Sequence, residues 1–268
     1  SQNCDAALRE FQDGAGMPFL FSVPTMVRSM LALVNYSAAR RRGLPELPDA
    51  SGTISNVTDD RLVEALSERG LTAPHQSTVS SPEEAVAAAT QIGFPVVLKI
   101  ISKEISHKTE AGGVVLDLRD ANAVQEAAID LQNKIGEDKI DSFLVQEMVN
   151  GLEMLVGVRE DPDFGPIVVV GLGGVFVELM KDVSLRLAPV NKVDAIEMLS
   201  ELRGAKALEG FRGQAPRDID ALAQSIVSLS DFFVEHRTWL SEIEVNPVIV
   251  LEEGKGIRAV DVRPVRRD

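Results

Sequence analysis

From Asp59 onward the chain alternates short amphipathic runs with apolar runs of strand length, a pattern that predicts an α/β protein. Leu62, Val63, Ala65 and Leu66 follow the acidic pair Asp59-Asp60 at helical spacing, and Gly70 ends that helix. Ser81-Pro82-Glu83-Glu84 opens a second helix with a capping hydroxyl, a proline at its first position and acid in its first turn; it ends at Gly93. Pro95–Ile101 is a buried-type strand broken by one lysine, and Val114–Leu118 is another strand. A helix runs from Asp120 to about Ile135, and strands cover Phe143–Met148, Met154–Val158 and Ile167–Val170. Helices over Asp194–Leu202 and Ile219–Phe233 precede strands at Leu240–Val245 and Arg258–Val262. Several strands follow one another directly, so the expectation is mixed sheets in two lobes, about 59–142 and 143–268.

The preceding residues read differently. Met17–Phe21 is a short strand-like run, and Ser22 or Thr25 caps a helix that reaches Ala38–Arg42, with Pro24 in its first turn and a basic end. One strand and a helix do not close a core, so residues 1–42 are either an appendage packed on the main body or the end of a larger domain. Residues 43–58 carry Gly, Pro, Ser and Asp without apolar periodicity, which is linker composition.

Composition narrows the class. The 268 residues exceed one average domain of roughly 100–150 residues, and 45% hydrophobic with 25% charged residues is globular. Lys and Arg number 27 against 41 Asp and Glu, a net charge of −14, which offers no broad positive field to nucleic acid or an anionic membrane. A small anionic ligand needs only a local positive pocket. Cys4 is the single cysteine and makes no internal disulfide. Apolar runs such as Ile167–Val170 fall far short of the ~20 residues of a membrane span, and no basic-then-apolar leader opens the chain. The expectation is a cytoplasmic protein.

Candidate chemistry starts at Lys99, whose ammonium inside an apolar strand calls for an anion or for a route back to water. The long segment after it, SKEISHKTEAGG, carries Ser106, His107, Lys108 and Thr109 and ends in Gly112-Gly113, a pair that lets backbone N–H groups approach phosphate closely. A loop histidine serves as nucleophile, base or metal ligand, or is merely exposed. His75 and His236 have no such setting and read as structural. Gln146 to Glu153 joins two strands; it is either a solvated connection or a hinge whose backbone meets a base and whose carboxylate meets ribose. Gly171-Leu172-Gly173-Gly174 follows a strand, with Glu178, Lys181, Asp182 and Arg186 after it; a glycine cluster of this kind is a weak phosphate signal. Asn246 and Asp261 would lie side by side on two strands joined by the Glu252–Gly256 turn, where two oxygen ligands suit Mg²⁺. One cysteine and three scattered histidines fit no zinc site.

Three strings, GFPVVLKIISKEISHKTEAGGVV (Gly93 to Val115), DPDFGPIVVVGLGGVFVELMKDVSLRLAPV (Asp161–Val190) and EIEVNPV (Glu242–Val248), together resemble the NDP-forming acyl-CoA synthetases, ADP-forming acetyl-CoA synthetase relatives in the succinyl-CoA synthetase superfamily. The resemblance covers Asp59 to about Pro264 as a two-lobed ATP-grasp fold. Gly16–Arg42 resembles the tail of the preceding flavodoxin-like ligase domain, which favours the second reading of residues 1–42. The resemblance implies ATP or ADP and Mg²⁺ as cofactors, with phosphoryl passing between the nucleotide and a loop histidine matched by His107. Lys99 matches the phosphate-holding lysine, with Gly112 and Gly113 beside the loop. Glu147, Met148 and Val149 match the adenine hinge, and Glu153 the ribose carboxylate. Gly173, Gly174 and Arg186 match groups at the terminal phosphate, and Asn246 and Asp261 the Mg²⁺ ligands. CoA and the acid would be bound by CoA-binding and ligase domains, in the same full-length chain or a partner subunit.

Two other functions compete with this one: a nucleotide-sensing module of a regulatory protein such as a protein acetyltransferase, and an ATP-grasp ligase joining a carboxylate to an amine. Neither has a use for His107 as a phosphate carrier, and a sensor has none for both metal ligands.

Overall fold

The computed structural model describes residues 14, 22–43, 45–51, 59–102, 112–174, 182–210 and 213–267. The chain divides into two compact units, Ser1–Glu46 and Leu47–Asp268. In the first, helix α1 (Val23–Arg42) starts where the capping pattern places it: the Ser22 hydroxyl accepts the Thr25 N–H at 3.3 Å, with proline in the first turn. Val23, Met30, Leu33 and Val34 stand exposed on it. The strand expected at Met17–Phe21 lies outside the described residues.

The second unit holds two sheets. Helix α2 (Asp59–Ser67) leads to β1 (Gln76–Val79), α3 (Pro82–Ile92), β2 (Val96–Ile101), β3 (Val114–Leu118), α4 (Ala121–Ile135) and β4 (Ser142–Glu147). These strands form a four-stranded sheet in the order β1-β4-β2-β3. Ser81 and Asp120 cap α3 and α4 by accepting the N–H of Glu84 and Ala123, and both helices cover one face of the sheet. Ala85, Ala89, Val124 and Ala128 bury themselves there against Val96, Leu98, Ile100, Phe143 and Val145.

The larger sheet follows: β5 (Leu152–Asp161), β6 (Gly165–Leu172), β7 (Val183–Leu187), α5 (Lys192–Glu201), α6 (Ile219–His236), β8 (Leu240–Val250), β9 (Ile257–Ala259) and β10 (Val262–Arg266). Its order is β10-β8-β5-β6-β7, with β9 paired to the far end of β8. Met154, Val156, Val158, Val168 and Val170 pack under α5 and α6, whose Met198, Ile226, Leu229 and Phe233 are fully buried.

Three expectations change. Every strand pairing among the described residues is antiparallel, so the sheets are not mixed. The helical crossovers β1–α3–β2 and β3–α4–β4 do join parallel strands, but an antiparallel strand sits between each such pair. The lobe boundary also moves. Strand β4 pairs with β1 and β2, so the small sheet continues to Glu147, past the expected break at 142. Helix α2, although it precedes β1, buries Leu62 and Leu66 in the core of the larger sheet, and Ala259 N–H donates to the Thr72 carbonyl at 2.9 Å. Finally, the last strand is two: β9 ends at Ala259 and β10 begins at Val262.

His236 is buried between rings, 4.3 Å from the Phe232 centroid and 5.7 Å from that of Trp239, in keeping with a structural role. No helix among the described residues is long and apolar enough to cross a membrane.

Candidate functional site

Each sheet has one face under helices, and successive side chains of a strand alternate between faces. On β2, Val96, Leu98 and Ile100 take the helix side, which turns Lys99 to the other. There Lys99 Nζ donates to Gln146 Oε1 at 2.8 Å, and Gln146 Nε2 donates to Gln76 Oε1 at 2.7 Å. A polar row therefore crosses β2, β4 and β1. Gln146 is buried, and its position explains how a lysine is tolerated in an apolar strand. The sequence reading assigns no role to Gln146; its period-two spacing from Leu144 on β4 is the signal that places it beside Lys99.

Gly112 precedes β3 with a positive φ of 69°, and Gly113 accepts the Ile100 N–H at 2.9 Å. The pair thus fixes one root of the segment that carries His107. His107 itself lies outside the described residues, as do Ser106, Lys108, Thr109, Glu178 and Lys181.

Between the sheets, Glu147 is used twice by its own chain. Its N–H donates to the His75 carbonyl at 2.8 Å, and its Oε2 accepts the His75 N–H at 3.2 Å. The Met148 N–H donates to the Pro95 carbonyl at 3.2 Å. Of the three hinge residues, Val149 alone keeps an N–H without a protein acceptor among the described residues. Along Glu147–Val149 the Val149 N–H is therefore the donor left open, those of Glu147 and Met148 being engaged.

On the larger sheet the residues converge. Glu153 opens β5 opposite the end of β6, and the Gly173 N–H donates to its carbonyl at 2.7 Å. A Cβ on Gly173 would lie 2.7 Å from the Glu153 carbonyl carbon, and one on Gly174 would lie 2.8 Å from Glu153 Oε2. Gly174 has a φ of 67° as well. Backbone blocks any side chain at Gly173, and the left-handed φ at Gly174 favours glycine there. Glu153, Leu155 and Gly157 alternate with the core residues Met154, Val156 and Val158, so the carboxylate stands on the face turned from the helices.

Asn246 and Asp261 come together as the spacing implies. Asn246 N–H donates to the Asp261 carbonyl at 3.0 Å, next to the Val262–Val245 pair of β10 and β8. Asn246 Nδ2 donates to Glu244 Oε1 at 3.2 Å. Arg263 holds Asp261 Oδ2 at 3.0 Å, and Oδ1 accepts nothing among the described residues. Neighbouring backbone positions thus carry an amide and a carboxylate, oxygen donors of the kind Mg²⁺ takes when phosphates and water complete its octahedron. No group of three or more acidic, histidine or cysteine side chains that could hold a metal occurs among the described residues.

Arg186 is not brought to this group. Its guanidinium pairs with Glu201 of α5 through two bonds, 2.5 Å from Nη2 to Oε1 and 3.0 Å from Nη1 to Oε2. Ser184, two residues earlier on β7, donates to the same carboxylate at 2.6 Å. Both side chains therefore stand on the helix side of the sheet, opposite to Glu153. The other face of β7 carries Val183 and Leu185, 42% and 53% exposed. They line a pocket of about 320 Å³ with Leu155, Gly157, Arg159 and Glu244.

A family model described as an ATP-grasp domain matches residues 52–265. The chain is 38% identical over 207 residues to the beta subunit of acetate–CoA ligase [ADP-forming] I of Pyrococcus furiosus, covering 75% of this chain and 88% of that subunit. It is 39% identical over 215 residues to the 4-hydroxybutyrate–CoA ligase [ADP-forming] of Nitrosopumilus maritimus, covering 78% of this chain but 30% of that one. Against acetate–CoA ligase [ADP-forming] I of Archaeoglobus fulgidus, the identity is 34% over 274 residues, with 39% of the relative covered. The chain thus spans well under half the length of those two relatives. Among solved structures, an acetyl-coenzyme A synthetase 1 of Ca. Korarchaeum cryptofilum, in complex with coenzyme A and Ca-AMPCP, superposes with a TM-score of 0.68 at 40% identity. That match covers 75% of this chain and 89% of the other.

Proposed function

This chain belongs to the ATP-grasp domain family, and from that membership we propose that it is the nucleotide-binding part of a cytoplasmic ADP-forming acyl-CoA synthetase. The whole enzyme turns an acid, CoA and ATP into acyl-CoA, ADP and phosphate. The acid and CoA bind mainly on CoA-binding and ligase domains that belong to the same full-length chain or to a partner subunit. This chain's own share is to bind ATP or ADP and to pass a phosphoryl group between the nucleotide and His107.

In that step a neutral imidazole nitrogen of His107 takes the terminal phosphorus. The N–P bond forms as the bridging P–O bond breaks, and ADP leaves with that electron pair on its terminal oxygen. Such a transfer needs charge neutralisation and alignment more than covalent help. Lys99, held by Gln146, brings a fixed cation to the phosphates. The Gly173 and Gly174 backbone lets the chain approach closely beside Glu153, whose carboxylate meets the ribose hydroxyls. The Val149 N–H meets the base. Bound through Asn246 and Asp261, Mg²⁺ supplies further neutralisation of phosphate charge.

The observation that carries the reading is the shared face of the larger sheet: Glu153 with its two glycines, and Asn246 beside Asp261, all turned from the helices. Similarity to ligase beta subunits, and to a synthetase solved with a nucleotide analogue, supports it.

The test is intact mass after incubation with Mg-ATP, with half of each sample briefly acid-treated. One acid-labile phosphoryl group on the native chain, missing in His107→Ala, is the expected result. A native chain that binds Mg-ATP yet stays unphosphorylated, also when its ligase domains are supplied, would overturn the relay in favour of a sensor.

A further inference from the structure

Asp182 is a buried carboxylate, 8% exposed, that the proposed chemistry does not use. No cation pairs with it among the described residues. Its two oxygens each accept one backbone N–H from consecutive residues of the turn after α5: Oδ1 from Arg203 and Oδ2 from Gly204, both at 3.0 Å. The same turn also presses on β6, because a Cβ at Gly204 would collide with the Leu172 side chain.

Leu172 is the residue before Gly173, and Asp182 opens the run into β7. One turn therefore grips both ends of the glycine-led segment, by packing at Leu172 and by two charge-assisted hydrogen bonds at Asp182. A second tie follows two residues on, where Glu201 binds Ser184 and Arg186. The free end of the grip is the Gly173 N–H, which meets the Glu153 carbonyl at 2.7 Å.

We infer that Asp182 is a positioning residue for the nucleotide: through the Arg203–Gly204 turn it sets the height of Gly173 and Gly174 against Glu153. The inference rests on the nucleotide role of Glu153 and the glycine pair. A carboxylate suits the task because it accepts from two adjacent N–H groups at once. Asparagine supplies one acceptor and turns an NH₂ towards the second N–H, so Asp182→Asn opens one side of the grip while keeping side-chain volume.

Asp218 provides the control. It is equally buried, at 8% exposed, and likewise accepts two backbone N–H groups, from Ala221 and Gly256, but these belong to α6 and the turn before β9 and not to the Arg203–Gly204 turn. Asp182→Asn, Gly204→Ala and Asp218→Asn are made in the full 268-residue chain. Thermal unfolding, amide hydrogen exchange and Mg-ATP affinity by calorimetry are measured for each. The expected result is faster exchange of the Gly173 N–H in Asp182→Asn and Gly204→Ala, with at least roughly tenfold weaker Mg-ATP binding. Asp218→Asn, of comparable thermal stability, changes neither.

Unchanged exchange at Gly173 in Asp182→Asn would overturn the inference. So would an affinity within about twofold of native, or an equal loss in Asp218→Asn. A native chain that fails to bind Mg-ATP overturns the functional reading instead, and the exchange at Gly173 still decides whether the grip exists.

Discussion

The Gly173 N–H meets the Glu153 carbonyl at 2.7 Å, and a methyl group on Gly173 would fall 2.7 Å from the carbonyl carbon of the same residue. Backbone on both sides leaves nothing flexible to yield. Gly173→Ala is therefore expected to push the glycine segment off β5 and to weaken Mg-ATP binding by about tenfold or more. Calorimetric titration of the variant checks this, and an unchanged affinity would count against a nucleotide role for the Glu153 face.

Lys99 and Gln146 form the second test. Removing the cation in Lys99→Met takes away the proposed charge-assisted contact to phosphate, worth roughly 1.5–3 kcal/mol, or about ten- to a hundredfold in nucleotide affinity. Gln146→Leu leaves the ammonium in place but removes one of its partners, so a smaller loss of affinity is expected. Competition with a fluorescent ATP analogue ranks the two, and a Gln146→Leu effect exceeding that of Lys99→Met would reverse the assignment.

The metal pair predicts a change in Mg²⁺ dependence. Asp261→Asn keeps the hydrogen-bonded frame with Asn246 but removes the only charged oxygen of the pair. The Mg²⁺ concentration that half-saturates nucleotide binding should rise by roughly an order of magnitude. Nucleotide binding measured over a range of free Mg²⁺ reads this directly, and chelation should mimic the variant in the native chain.

His236 predicts an acid-side loss of stability. Burial among Phe232 and Trp239 holds its pKa below the ordinary 6.5; Arg69 lowers it further, and Glu235 opposes both. Its Nδ1 is buried without a partner. A folded-state value below the unfolded one means that the unfolded chain binds more protons in between, so stability rises with pH there. The contribution is complete above about 6.5 and is lost as pH falls through the lower, folded value. His236→Phe keeps a ring between its neighbours and should flatten melting temperature against pH between about 5 and 7. Burial raises the Asp231 pKa nearby; its stabilisation is present at low pH and lost as pH rises through its folded value, and it cancels when the two proteins are compared. An acid limb as steep in the variant as in the native chain would place the effect elsewhere.

The sequence announces the helices well, because Ser22, Ser81 and Asp120 are capping residues at the positions where helices begin. It announces Asn246 and Asp261 because a turn between two strands leaves few registers. It hides β1, whose Gln76–Val79 run is short, polar and at an edge of its sheet. It misleads at β7. There no strand is expected, although Val183, Leu185 and Leu187 alternate with Ser184 and Arg186. In this edge strand Ser184 and Arg186 face α5 because Glu201 satisfies both, while Val183 and Leu185 stand exposed. An arginine beside a glycine cluster looks like a phosphate clamp until the parity of its strand is known. No local pattern reveals that parity, since the deciding carboxylate lies on another element.

The order β1-β4-β2-β3 has a consequence for the protein as it is made. On the ribosome, β1, α3 and β2 emerge before the rest of the small sheet, yet the two strands never touch. The place between them belongs to a strand that begins at Ser142. A nascent chain that stops short of that residue holds an empty slot in the middle of its small sheet. Helix α2, the first of the unit to appear, waits longer still, because its cover is α6 and the strands that follow it. The middle of the small sheet and the cover of α2 are therefore both supplied by chain made later.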